Sequence, residues 1–178
     1  MTAGVGIPVG ASGGAVRLEP MRWWHVEAVA ALEASIFDES PWSLEQFYAE
    51  LAAPGRWLQV VVPDGDARSG SVLGYVDVAV AAPDADLMTI AIAPEVRGGG
   101  VGRWLLGQAM GAALAAGART MFLEVRSDNP ALNLYLSQSF EPLDVRRDYY
   151  GSGIDAVVMR RRLTLEQAPA NVMPAVSS

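Results

Sequence analysis

The chain has 178 residues, with 20 acidic against 13 basic side chains and a formal net charge of −7 at pH 7. This length fits one domain, and the acidic balance argues against a nucleic-acid-binding surface, which is normally basic. Because cysteine is absent and His25 is the single histidine, the composition excludes disulfides, a thiol nucleophile and multi-histidine or thiolate metal sites.

Both ends of the chain are expected to be tails. The first fourteen residues are rich in Gly, Ala and Val and carry no basic residue before Arg17, which does not fit a secretion signal. The last segment contains two prolines and ends in two serines. No apolar run approaches the length of about 18 residues that a membrane span needs. We therefore predict a flexible tail over 1–14, a catalytic domain over 15–163 and a disordered tail over 164–178, in a monomeric cytoplasmic protein.

Hydrophobic periodicity and turn residues predict seven strands and four helices, in the order β-α-α-β-β-β-α-β-α-β-β. Ser43-Leu-Glu-Gln46 is a capping box that begins the second helix, and Gly117 stands at the C′ position after the third. This order predicts an α/β fold, a mixed sheet with helices on both faces. The expected strands cover 15–20, 57–62, 72–82, 87–93, 119–125, 141–147 and 154–162, and the expected helices 22–37, 43–52, 101–116 and 128–139.

The stretch between the fourth strand and the third helix is rich in glycine. Bare backbone amides at a helix N-terminus favour an anion such as phosphate, and Arg97 and Arg103 flank the loop and can add charge-assisted contacts. The loop is not a P-loop, which needs a lysine that this chain lacks, and Arg103 or Leu105 replaces the third glycine of the dinucleotide fingerprint. A plain turn is the alternative. The glycines are Gly98, Gly99, Gly100 and Gly102.

The pattern Arg97-x-x-Gly100-x-Gly102, after a strand that ends in Ala-Pro, resembles the acetyl-CoA pyrophosphate loop of the GNAT superfamily of N-acetyltransferases. Further segments resemble its RimI group, which acetylates the N-terminal alanine of a ribosomal protein. The resemblance covers about residues 15–163 and implies the GNAT fold, with a mostly antiparallel seven-stranded sheet, acetyl-CoA as cosubstrate and no metal. The further segments are Ser40-Pro-Trp-Ser43, Thr89-Ile-Ala-Ile, Phe122-Leu-Glu-Val-Arg-Ser-Asp-Asn129, Val145-Arg-Arg-Asp-Tyr-Tyr150 and Asp155-Ala-Val-Val-Met159.

Acetyl transfer from a thioester to an amine needs a neutral amine, a stabilised oxyanion and a proton for the leaving thiolate. Glu124 is a carboxylate on an otherwise apolar strand, and the resemblance implies that it is the general base, directly or through water. It also implies that Tyr135 is the general acid. The alternatives are an acid paired with Arg126 or Arg146, and a core tyrosine with a satisfied hydroxyl.

The resemblance assigns binding roles to other segments. Backbone groups of strand 90–92 are implied to pair with the pantetheine arm and to polarise the thioester carbonyl, and Asn129 to touch the cofactor. Trp42, Tyr149 and Tyr150 are implied to line the peptide entrance, with ordinary packing as their alternative. The implied cofactor-binding residues are Ile90, Ala91, Ile92, Arg97, Gly98, Gly99, Gly100, Val101, Gly102, Arg103 and Asn129.

The sequence departs from the family pattern at two points. The segment from Asn129 to Tyr135 is one residue short, which on a helix is a rotation of about 100°. A helix that starts at Asn129 turns Tyr135 away from the family position. A helix that starts one residue earlier, with Asp128 as N-cap, keeps Tyr135 in place, and we favour it. Ser139 stands where the family has glycine, so a positive φ there would cost stability.

Together these features predict an acetyl-CoA-dependent N-α-acetyltransferase that modifies the N-terminal amine, as alanine, of protein eighteen of the small ribosomal subunit. Its partner is then the N-terminal peptide of a ribosomal protein, without a nucleic-acid or membrane partner. One alternative is a GNAT enzyme that acetylates lysine side chains or small amines. Another is a non-catalytic CoA-binding regulatory module.

Overall fold

A computed structural model describes residues 7–8, 15–37, 41–64 and 70–164. The strands are β1 (Ile7–Pro8), β2 (Ala15–Pro20), β3 (Arg56–Pro63), β4 (Gly74–Ala81), β5 (Asp84–Ile92), β6 (Thr120–Arg126), β7 (Glu141–Arg146) and β8 (Ala156–Arg162). The α-helices are α1 (Val26–Ile36), α2 (Leu44–Ala52), α3 (Val101–Ala115) and α4 (Ala131–Ser137), and Trp23–His25 and Pro94–Val96 are short 3₁₀-helices.

The strands form one sheet in the order β1-β2-β3-β4-β5-β6-β8-β7. Strands β5 and β6 run parallel, whereas the ladders β1–β2, β2–β3, β6–β8 and β7–β8 are antiparallel. The predicted mixed α/β fold is therefore confirmed, with all seven expected strands and four helices. An additional two-residue strand, β1, lies within the expected tail and pairs with Ala15 and Val16. The other residues of that tail, and 165–178, lie outside the described residues.

The chain divides into two compact units, of which the first comprises Met1–Asp77 and Thr89–Leu105. Helix α2 begins at the predicted capping box, where Ser43 N donates to Gln46 Oε1 at 2.8 Å and Gln46 N donates to Ser43 Oγ at 3.3 Å. Phe47 anchors this helix, because its fully buried ring packs edge-on against Tyr75 with centroids 5.6 Å apart. The buried core of this unit consists of Met21, Val26, Val29, Phe47, Leu58, Val60, Val62, Tyr75 and Ala91.

A buried acid, Asp77, lies on β4 in the first unit. Its side chain is 0 % exposed, and burial raises its pKa to about 7, since a charged carboxylate is poorly solvated there. The cation of Arg56 opposes this rise, while the carboxyl of Glu50 adds to it. Arg56 Nε lies 2.6 Å from Glu50 Oε2. The positive charge of Arg56 therefore acts on both Glu50 and Asp77.

The second unit comprises Val78–Met88 and Leu106–Ser178. Strand β6 alternates, as a strand with one packed face does: Met121, Leu123 and Val125 are buried, and Glu124 between them is exposed. Helix α3 ends as predicted at Gly117, whose φ is 99°. Ala118 N donates to Ala113 O at 2.9 Å and Gly117 N to Leu114 O at 3.0 Å, which are the two bonds of a Schellman motif.

Helix α4 ends in the same motif, but without glycine. Phe140 N donates to Tyr135 O and Ser139 N to Leu136 O, both at 3.0 Å. Ser139 therefore has a left-handed φ of 59°. The Tyr135 and Phe140 rings meet edge-on with centroids 5.9 Å apart, the hydrophobic contact that often accompanies this motif. The serine that replaces the family glycine thus occupies the strained position expected from the sequence.

We predict that Ser139→Gly raises the free energy of unfolding by about 0.5–1 kcal/mol, because glycine adopts a left-handed φ without a Cβ clash. Thermal and urea unfolding measure the change. Ser137→Gly, two residues earlier inside α4, is the matched control and should lower stability by about 0.5 kcal/mol. Two substitutions with the same sign would contradict the strain at Ser139.

We predict that Asp77→Asn raises the melting temperature at pH 8 and flattens its fall between pH 4 and 7. The folded-state pKa of about 7 lies above the ordinary value of 3.8 for aspartate, so the stability that the protonated form provides is lost as the pH rises through 7. Calorimetry across pH measures this. Asp84→Asn is the control, since that exposed side chain is solvated in both states. If the melting temperatures of wild type and Asp77→Asn change with pH in parallel, Asp77 does not carry a buried charge in the folded protein.

Candidate active site

The Glu124 carboxylate stands on β6 in the second unit, between the buried residues Leu123 and Val125. Its side chain keeps 30 % of its surface exposed. Since successive side chains on a strand point to opposite faces, the inward packing of its two neighbours turns Glu124 outward. The strand therefore presents an acid that solvent and other molecules can reach.

Two side chains, one from the end of β7 and one from the β7–β8 connection, engage the two oxygens of this carboxylate. The Tyr150 hydroxyl donates to Glu124 Oε1 at 3.0 Å, and Arg146 Nη1 lies 3.2 Å from Glu124 Oε2. The ion pair left open by the sequence is thus formed with Arg146. A hydrogen bond to a charged group contributes about 1.5–3 kcal/mol, whereas an exposed ion pair contributes about 0–1 kcal/mol. Tyr150 is therefore the stronger partner.

Aromatic rings and guanidinium groups surround this contact. The Tyr149 and Tyr150 rings meet edge-on with centroids 5.0 Å apart. The Arg126 guanidinium lies 5.5 Å from the Tyr150 ring centroid, and that of Arg146 lies 5.6 Å from the Tyr149 centroid. Both distances fit cation–π contacts. The structure thus brings together Glu124, Tyr149 and Tyr150 of the predicted site.

Backbone hydrogen bonds fix the loop that carries the two tyrosines. Asp155 N donates to Ser127 Oγ at 3.1 Å and Ser127 N donates to Asp155 O at 2.9 Å. Asp148 N donates to Asp155 Oδ1 at 3.0 Å, and Asp148 has a left-handed φ of 53°, which aspartate tolerates better than most residues. The loop is therefore tied to the end of β6, next to Glu124.

The Tyr150 hydroxyl keeps its proton at neutral pH. Burial is the main reason that its pKa rises to about 12, and the negative charge of Glu124, which accepts its hydrogen bond, raises the pKa further. A neutral phenol remains a donor. The Glu124 contact therefore persists across the physiological pH range.

Tyr135, the predicted general acid, is 6 % exposed and its ring packs against Phe140 at the end of α4. Burial raises its pKa to about 12, so its hydroxyl also stays protonated. The favoured N-cap for α4 is wrong: the helix begins at Ala131 with Pro130 at the N-cap position. Asp128 binds Arg126 instead, and Asn129 Oδ1 accepts from Ala131 N at 2.9 Å. The Arg126 guanidinium, two residues earlier, engages the Asp128 carboxylate, which is therefore not used to cap α4.

The glycine loop lies in the first unit. Gly98 and Gly100 have φ values of 81° and 84°, and an added Cβ at either would meet nothing within 4 Å. Trp104 N donates to Gly100 O at 3.0 Å, so α3 begins directly after Gly100. In general the first N–H groups of an α-helix have no acceptor within the helix itself. A turn that needs two left-handed glycines thus presents an open helix N-terminus.

Arg97 helps to hold this loop, because its Nε donates to Ile92 O at 2.9 Å. The same strand end is approached by Gly74, a residue that sequence reasoning missed. A Cβ at Gly74 would lie 2.8 Å from Ala91 O and 2.7 Å from Ile92 Cδ1. Glycine is therefore required where β4 meets the end of β5. An isolated glycine inside a strand is the sequence signal that could have found it.

Trp42, the third predicted aromatic of the peptide entrance, also lies in the first unit. Its ring packs against Phe47 with centroids 5.4 Å apart, and its backbone N donates to Glu33 Oε1 at 3.0 Å. Glu33 is buried, and burial raises its pKa. The Trp42 ring therefore contributes to the packing of the first unit. Ser40 of the same motif lies outside the described residues.

Within the described ranges, no helix is long and apolar enough to cross a membrane. In the same part of the chain, no three His, Asp or Glu side chains are grouped so that they could hold a metal ion.

Comparison with known proteins relates these features to a family. The model of the acetyltransferase (GNAT) family matches residues 18–140. A Bacillus subtilis (strain 168) protein named as a candidate ribosomal protein bS18-alanine N-acetyltransferase is 35% identical over 141 residues, 78% of this chain and 90% of that protein. The ribosomal protein bS18-alanine N-acetyltransferase of Escherichia coli (strain K12) is 30% identical over 123 residues, 67% and 79% of the two chains. An uncharacterized Mycobacterium leprae protein is 36% identical over 143 residues, which make up 76% of this chain and 38% of that longer protein.

Solved structures show the same fold. The ribosomal-protein-alanine N-acetyltransferase from Escherichia coli superposes with a TM-score of 0.74 at 24% identity, covering 89% of this chain and 99% of that one. Ard1 from Thermoplasma volcanium gives 0.72 at 18% identity, covering 84% and 98%. By the match over 18–140 and these relatives, the chain belongs to the acetyltransferase (GNAT) family.

Proposed function

We propose that this protein is an acetyl-CoA-dependent N-α-acetyltransferase that acetylates the N-terminal alanine of protein eighteen of the small ribosomal subunit, in the cytoplasm. The names of the Bacillus subtilis and Escherichia coli relatives support the substrate. The observation that carries the mechanism is the accessible Glu124 carboxylate, held by the Tyr150 hydroxyl beside a second tyrosine.

The glycine loop fits a diphosphate. Gly98 and Gly100 face open space, and the first amides of α3 carry the partial positive charge of a helix N-terminus. We propose that Val101, Gly102 and Arg103 bind the pyrophosphate of acetyl-CoA through their backbone N–H groups, with the remaining loop glycines. Arg97 acts there by holding the loop to Ile92.

Other predicted residues complete the cofactor proposal. The parallel ladder joins Asp84–Leu87 to Thr120–Leu123, and residues 90–92 follow it along β5. We propose that backbone groups of 90–92 pair with the pantetheine arm. We propose that Asn129 contacts the cofactor beside its existing hydrogen bond, in which Oδ1 accepts from Ala131 N.

Acetyl-CoA supplies the acetyl group as an activated thioester. Glu124 takes a proton from the substrate ammonium, directly or through one water, and passes it to solvent. The freed amine then forms the new N–C bond, its nitrogen loses a second proton by the same route, and the C–S bond breaks. The leaving thiolate then needs a proton. Tyr135 stays the proposed donor because its pKa of about 12 keeps it protonated, although its burial favours a structural role.

The acid–base properties of amines support an N-terminal substrate. An α-amine has a reference pKa of about 7.7–8.0, against about 10.4 for lysine. At pH 7 on the order of a tenth of α-amines are already neutral, so a single carboxylate is a sufficient base. We propose that Trp42, Tyr149 and Tyr150 contact the incoming peptide through their rings.

We predict that Glu124→Gln lowers turnover of an alanine-first peptide about 10²–10⁴-fold, the range for loss of a general base. Acetyl-CoA affinity should stay near wild type. Thiol release measures the rate, and mass mapping locates the acetyl group. Glu141→Gln, the same change at an exposed acid on β7, is the control. Near wild-type turnover of Glu124→Gln would remove Glu124 from the mechanism.

An acetyl group on lysine alone would contradict the N-terminal substrate, and CoA binding without turnover by wild type would indicate a regulatory module.

We predict that Gly100→Asp abolishes CoA binding, because the new carboxylate would stand where phosphate belongs. Isothermal titration calorimetry with CoA measures this. The matched control is Gly70→Asp, at another glycine of positive φ with open space around it, and it should bind CoA normally. Equal affinities for the two variants would place the diphosphate away from this loop.

A further inference from the structure

The Tyr150 hydroxyl has a partner inside the proposed site. It donates to Glu124 Oε1 at 3.0 Å, although the two residues are 26 positions apart in the sequence. A phenol has one hydrogen to donate, and here the carboxylate receives it. Tyr150 is 37 % exposed, so its ring can contact a peptide while its hydroxyl serves Glu124.

The Tyr150 ring is held by the same strand that carries Glu124. Arg126 follows Glu124 by two positions on β6, hence on the same face, and its guanidinium lies 5.5 Å from the ring centroid. Asp128 fixes that guanidinium through two contacts: Arg126 Nε and Nη2 donate to Oδ1 and Oδ2, each at 3.0 Å. These hydrogen bonds hold the pKa of Asp128 below its usual value. A bidentate pair orients both side chains, so the ring has a defined place.

The two oxygens of Glu124 differ in how firmly they are held. Oε1 receives the Tyr150 hydrogen bond, whereas Oε2 faces Arg146, whose side chain is 54 % exposed. Water and salt screen such a pair. A substrate ammonium carries the same charge as the guanidinium and can replace it at Oε2.

We propose that Tyr150 is a positioning residue for acetyl transfer: its hydroxyl holds Glu124 by Oε1 and turns Oε2 toward the substrate amine. This inference rests on the proposed function, since it takes Glu124 as the base. The ammonium N–H bond breaks and an O–H bond forms at Oε2, while Tyr150 keeps its own proton. The charged and titratable groups that face Tyr150 are Glu124, Arg126 and Tyr149.

Tyr150→Phe tests the proposal because it removes the hydroxyl and keeps the ring. We expect kcat to fall about tenfold, the effect of one lost hydrogen bond in the transition state, with the peptide KM changed less than twofold. Tyr48→Phe, the same change at an exposed tyrosine of α2, is the matched control and should leave kcat and the peptide KM within twofold. A raised peptide KM with unchanged kcat for Tyr150→Phe would show uniform substrate binding and overturn the proposal.

A double-mutant cycle tests whether the hydroxyl acts through the carboxylate. In a Glu124→Gln background, Tyr150→Phe should slow turnover less than twofold further, since the base that it positions is gone. Independent, multiplying effects would overturn the proposal. If Glu124→Gln alone has near wild-type turnover, the proposed function itself fails, so the two failures are distinguishable.

A readout without turnover checks the contact. Tyrosinate absorbance, with Tyr150→Phe as the reference, follows the titration of Tyr150. We expect Glu124→Gln to lower the pKa of Tyr150 from about 12, because the neighbouring negative charge is removed; burial, the larger cause, should keep it above 10. Glu141→Gln should leave it unchanged. A titration that Glu124→Gln does not move would overturn the proposed contact.

Discussion

A charged carboxylate on a strand with one buried face needs hydrogen bonds and cations from neighbouring segments. Glu124 obtains a cation from Arg146, at the end of β7, and a hydrogen bond from Tyr150, in the connection that follows it. Arg126, which Asp128 binds, lies over the Tyr150 ring and so holds that partner in place. The acid, its aromatic neighbours and its cations therefore form one network in the second unit. The proposed base and its surroundings depend on this network.

Features that depend on hydrogen bonds between residues close in sequence were predictable. The capping box at Ser43 and the C′ glycine at Gly117 occur as expected, since each is set by hydrogen bonds within a few residues. The strand over 119–125 was predicted from its apolar run, whereas the alternation that turns Glu124 away from the buried Leu123 and Val125 was seen only in the structure. The role of Glu124 as base came from the family resemblance, and no feature of the strand alone would assign it.

Contacts between distant segments were beyond sequence reasoning. Nothing in the run Asp148-Tyr-Tyr150 shows that one hydroxyl, and not the other, reaches Glu124. The start of α4 was misjudged for a related reason: Asp128 is a good cap by residue type, but its carboxylate binds Arg126 and the helix starts after Pro130. Asp77 also escaped notice, because an acid within a strand pattern does not reveal how deeply it is buried.

Asp77, the buried acid on β4, links the pH dependence of conformational stability to that of solubility. Acidifying the solution neutralises Asp77 and favours the folded chain. The same titration of the surface carboxylates brings the net charge of −7 toward zero. Mutual repulsion between molecules then fades, and association becomes easier. A mildly acid buffer that removes the buried charge of Asp77 thus also weakens the repulsion that keeps concentrated molecules apart.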